Sequence, residues 1–108
     1  MQVTVYHQMF NDEGEVRGFE RVAVVTVNHT DDEHEALEYA WRYTNNVVGS
    51  WSLKIGGDAN DDVEVVASRE DGLGLRSSMI GDRFYVKYGE AYEVAMCGFD
   101  VLPVMEDV

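Results

Sequence analysis

The chain is 108 residues long, 45% hydrophobic and 11% aromatic, the composition of one folded domain spanning residues 1–108 rather than of a disordered segment. It carries 21 acidic against 8 basic side chains, a net charge of −13. That balance excludes direct binding to nucleic-acid phosphates and attachment to anionic membranes, both of which need clustered Lys and Arg.

In MQVTVYHQMF, Val3 and Val5 alternate with Gln2, Thr4 and Tyr6, the period of two of a first strand running to about Gln8. The same stretch lacks a basic start and a cleavable apolar segment, so no secretory signal is expected. Asn11–Glu15 is rich in turn formers. Phe19–Val27 follows, apolar on both sides at its centre (Val22, Val24; Ala23, Val25, Val27), as for a central strand covered at least in part on both faces. These two strands are expected to form an antiparallel hairpin.

Thr30-Asp31-Asp32-Glu33 matches a capping box and predicts a helix opening at Thr30. Asp31, Asp32, Glu33 and Glu35 suit the positive end of the helix dipole. Leu37, Ala40, Trp41 and Thr44 at i, i+3, i+4 and i+7 predict the buried stripe. Trp51 and Leu53 are expected to fold back on the core. Gly56–Asp62 reads as a polar loop, Val63–Val66 as a short strand and Ser68–Gly74 as another loop.

Arg76–Leu102 reads as a turn at Gly81-Asp82, a strand over Phe84 and Val86, a turn at Tyr88-Gly89 and one long closing strand through Tyr92, Val94 and Met96. Pro103 stops that strand, and Glu106-Asp107 is expected to be a solvated tail. No repeat or boundary appears. The order β-β-α-β-β-β predicts an α+β fold, a mostly antiparallel sheet of about five strands with one helix packed on a face.

Candidate chemistry is thin. Asp58–Asp62 lacks the Gly and Glu that a calcium loop places sixth and twelfth, where Val63 and Arg69 stand. His29 and His34 lie five apart, so they do not share a helix face as a zinc pair would. Gly72-Leu73-Gly74 has neither the third glycine nor the following helix of a dinucleotide loop. Ser77 and Ser78 lack a nucleophile-elbow context. Cys97, beside Met96, is expected to be a buried small hydrophobe, and as the single cysteine it fits a reducing compartment, with cytoplasm the expected location. No catalytic residue, metal site or cofactor is expected.

What remains is the acidic set: Asp31, Asp32, Glu35 and Glu38 on the helix, Asp61 and Asp62 in the loop. The plainer reading is a solvated helix face and a polar loop. The sharper one is a negative patch that engages a basic protein, with an exposed aromatic among Phe10, Trp41, Tyr43 and Trp51 as its anchor.

YHQMFNDEGEVRGFERVA, EALEYAWRYTNN with Trp51 following, and Arg76-Ser77-Ser78-Met79-Ile80-Gly81-Asp82 ending at Gly98-Phe99 together resemble small accessory proteins of actinobacterial phages, mycobacteriophages above all, and plasmids. The resemblance implies a setting inside an infected bacterium and brings no activity, cofactor or catalytic residue with it. From residues and resemblance together, the expected function is a non-enzymatic protein that binds a host protein and slows host growth. One alternative is an acidic nucleic-acid mimic that blocks a DNA-binding host protein; another is a small enzyme. Pairing with a second copy through an open sheet edge is a further expectation.

Overall fold

Alternation of inward Val3, Val5 and His7 with outward Thr4, Tyr6 and Gln8 sets β1 (Gln2–Phe10) as the sheet's spine. A computed structural model describes residues 1–103; the expected tail at Glu106-Asp107 lies outside the described residues. The first hairpin forms as expected: β2 (Val16–Thr26) runs antiparallel to β1, with register shifts at Val5/Tyr6 and at Met9/Phe10. The first shift explains a feature of the sequence. It makes Val22 the extra residue of a bulge, so Val22, Ala23 and Val25 are all buried. The apolar run therefore reflects a bulge on a strand covered mainly on one face, and the opposite face carries no helix.

The helix begins later than Thr30. Helix α1 (Glu33–Tyr43) has Asp32 as its N-cap, whose carboxylate accepts from the Glu35 amide at 3.0 Å. Thr30 stands outside it: its hydroxyl accepts from the Asp32 amide at 3.0 Å and donates to the Glu35 carboxylate. The cap is thus shifted by two residues: Asp32 accepts from the Glu35 amide, and the Thr30 hydroxyl takes the Asp32 amide that a Glu35 carboxylate would hold in a capping box. Ala36, Leu37, Ala40 and Thr44 form the buried stripe, while Trp41 sits on its margin, half-buried.

Residues 45–62 contain a two-residue ribbon, β3 (Gly49–Ser50) with β4 (Ile55–Gly56). It turns Trp51 inward, where the indole N–H donates to the Arg76 carbonyl at 2.9 Å, and leaves Leu53 exposed, against expectation. After β5 (Val63–Val65) and an irregular stretch come β6 (Arg83–Val86), β7 (Ala91–Ala95) and β8 (Gly98–Val101). The expected single closing strand is broken: Ala95 pairs with Gly98 across Met96-Cys97, and Gly98 takes φ +89°, open to glycine. Cys97 is consequently exposed at a turn, not buried.

The fold is α+β, with six strands rather than five in the main sheet, in the order β5-β2-β1-β6-β7-β8, all described pairs antiparallel. Helix α1 lies over β1 and β6. Val3, Val5, Val25, Leu37, Trp51 and Phe84 fill the space between them, each almost wholly buried. No helix among the described residues is long and apolar enough to cross a membrane.

Candidate functional site

The segment Arg76–Asp82, read from the sequence as a turn, spends its polar groups on fixing the chain. Asp82, fully buried, accepts from the backbone amides of Gln8 (2.8 Å) and Met79 (2.7 Å) and from both guanidinium nitrogens of Arg76 (2.8 and 2.9 Å). Burial alone would push its carboxyl up; the Arg76 pairing and the two amides outweigh this and hold it below the ordinary value. Ser77 Oγ accepts from the Asn46 amide at 2.8 Å, and Ser78 Oγ bonds Thr44 Oγ1 at 2.8 Å, at the helix C-cap. The turn therefore clasps β1, the helix end and the 45–50 segment at once.

Ser78, His7 and Asp82 also meet here, the residue types of a nucleophilic triad. His7 Nε2 lies 2.9 Å from Ser78 Oγ, yet the Asp82 carboxylate approaches the same Nε2, at 3.8 Å. In a triad the carboxylate holds Nδ1, leaving Nε2 for the hydroxyl. All three groups are at most 4% exposed. Burial dominates the His7 environment and lowers its pKa to about 4, with Asp82 opposing and Arg76 adding to the shift, so the imidazole is neutral at pH 7. The cluster's chemistry is that of a satisfied polar core.

A second buried carboxylate works likewise. Asp58 accepts from the amides of Val47 (2.8 Å) and Val48 (2.9 Å) and from Arg42 (3.1 Å). Burial pushes its carboxyl up, and these donors more than reverse the push. Asp58 thus belongs to the framework, not to any surface patch.

The six candidate acids fall in three local settings. Asp32 and Glu35 are exposed but engaged in the helix cap, with Asp31 exposed beside them. Asp62 accepts from the Tyr39 hydroxyl at 2.6 Å, and Asp61 is its exposed neighbour. Tyr39 packs at a tilt against His29 and Tyr43 on that flank of α1 (centroids 4.8 and 4.9 Å), and burial followed by its Asp62 bond raises its hydroxyl's pKa. Glu38 projects toward the other flank, where it borders a groove. On the same side as the groove, Glu33 accepts from the Tyr92 hydroxyl at 3.0 Å, which ties helix to β7.

That groove is the site sequence reasoning missed. It encloses about 510 Å³ between α1 and the β7–β8 hairpin, walled by Trp41, Val94 and Phe99 and rimmed by Met79, Ile80 and Met96. Its origin is geometric. Six strands at about 4.8 Å spacing span some 24 Å, whereas one helix is about 10 Å across. Helix α1 covers β1 and β6 and stops short of β7–β8. Met79, Ile80 and Met96 are 42%, 55% and 86% exposed. Apolar side chains held so open beside a groove are the usual make-up of a protein-binding surface, and methionine adapts to varied partners. One signal was available: Met79-Ile80, an apolar pair inside an otherwise polar turn.

Among the described residues no group of three or more His, Cys, Asp or Glu is placed to hold a metal ion. Compared with protein-family models, curated proteins and solved structures, the chain matches none.

Proposed function

We propose that this chain is a non-enzymatic binding protein of a phage or mobile element, acting in the bacterial cytoplasm by seating an apolar segment of a host protein in the groove between α1 and β7–β8. The observation that carries this reading is the open cluster of Trp41, Met79, Ile80, Met96 and Phe99 around that groove. Glu38 at the rim selects a segment with a basic residue next to its apolar ones, and the net charge of −13 steers such a partner in. Slowed host growth is the expected consequence of capture.

The nucleic-acid mimic draws less support, because Asp32 and Glu35 are engaged at the helix cap and Asp62 by the Tyr39 hydroxyl. The two readings part on substitution. Affinity capture from host lysate with Ile80→Asp/Met96→Asp should lose the partner by tenfold or more, about 1.4 kcal/mol, while Asp61→Asn/Asp62→Asn should retain it. Loss in the second variant with retention in the first favours the mimic and removes the groove.

A further inference from the structure

We infer that the sheet face opposite the helix is a self-association surface on which a second copy of this chain packs about a two-fold axis. The register defines that face. One row across the strands runs Arg21, Tyr6, Arg83, Glu93, Asp100, and the next runs Glu64, Val24, Thr4, Tyr85, Ala91. No helix covers it. Tyr6 and Tyr85 meet edge to face at 5.1 Å, and Arg83 lies 4.2 Å over the Phe19 ring, so the centre is aromatic and Tyr85 is exposed.

Charge sets this face apart from the rest of the molecule. It holds Arg21, Arg83, Glu64, Glu93 and Asp100, two cations against three anions, on a chain that is −13 overall. Two copies bearing −13 each repel, and this near-neutral face is where they repel least. The charges are also ordered: positive on β2 and β6, negative on β7, β8 and the opposite edge strand β5. A dyad along the strands through the sheet's middle reverses strand order, laying β2 over the partner's β7 and β1 over the partner's β6. Arg21 then meets the partner's Glu93, and Tyr6 meets the partner's Arg83, each contact made twice, as isologous packing requires. Glu64 and Asp100 lie in different rows, so they do not confront each other. The face spans six strands of three to eleven residues, roughly 600 Å² at about 3.4 Å by 4.8 Å per residue, the size of a small interface that forms only at high concentration.

The test is light scattering on size-separated protein, with reductant present to silence Cys97. The wild-type chain should run at twice 12.2 kDa at high micromolar concentration. Arg21→Glu alone and Glu93→Arg alone should each run as monomers, because every dyad-related pair becomes like-charged. Mixed one to one they should dimerise again, since one dyad-related pair is then the original Arg21–Glu93 contact and the other carries the same two charges exchanged. A monomeric wild type, single variants that dimerise as well as it, or a mixture that stays monomeric would each overturn the inference. Circular dichroism of the two variants guards against misfolding, and Tyr85→Ser, at an exposed side chain, supplies a further variant that should weaken the dimer without a charge change.

Discussion

Replacing Asp82 by Ala removes the acceptor of five hydrogen bonds while leaving their donors in place. Arg76 keeps its bonds to the Ser77 and Gln8 carbonyls and, being one-third exposed, can turn to water, so its loss is discounted. The part-buried amides of Gln8 and Met79 lose their acceptor as well, and each unpaired donor costs about 1–2 kcal/mol, the lower part of the range for a buried one. A total near 3 kcal/mol follows, a large share of the ~5–15 kcal/mol that holds a domain together. In urea, with a slope of about 2 kcal/mol per molar, the midpoint should fall by about 1.5 M with little change in slope. Trp51 reports the event directly, because its indole N–H donates to the Arg76 carbonyl. A loss below about 1 kcal/mol would refute the idea that this turn is the clasp of the fold.

Three more outcomes follow from the same geometry. His7 is shifted from the ordinary 6.5 down to about 4, so the unfolded chain binds a proton first; stability is complete above pH 6.5 and falls as pH drops toward 4, by about 2–3 kcal/mol. His7→Gln should flatten urea midpoints across that window, whereas Asp82, whose carboxyl is lowered from 3.8, loses its contribution only below it. Gly81 takes φ +94°, and an added Cβ would stand 2.5 Å from the Gln8 side-chain amide; Gly81→Ala should cost about 1–2 kcal/mol in thermal or urea unfolding. Ile80→Ser and Met96→Ser, at exposed side chains, should change stability by no more than about 0.5 kcal/mol, which separates a binding surface from a structural one.

The sequence yielded the first hairpin and the helix readily, since Val3, Val5, Leu37 and Ala40 follow the two periods directly. It misjudged places where one residue changes the register. The bulge at Val22 mimics a strand buried on both faces, and the Met96-Cys97 turn hides inside an apolar alternation that continues across it. Arg76, Ser78 and Asp82 read as a turn, but their long-range partners Gln8, His7 and Thr44 belong to the tertiary fold and leave no local trace. The groove stayed hidden for a related reason, because it exists only where one helix fails to span six strands.

Placing a photo-crosslinking residue at Ile80, at Met96 or at Glu13, a loop position at the β1–β2 turn, and irradiating living host cells tests the binding account most directly. The account predicts one and the same host-protein adduct from Ile80 and Met96 and none from Glu13. Equal labelling from all three positions, or adducts from none, would contradict it.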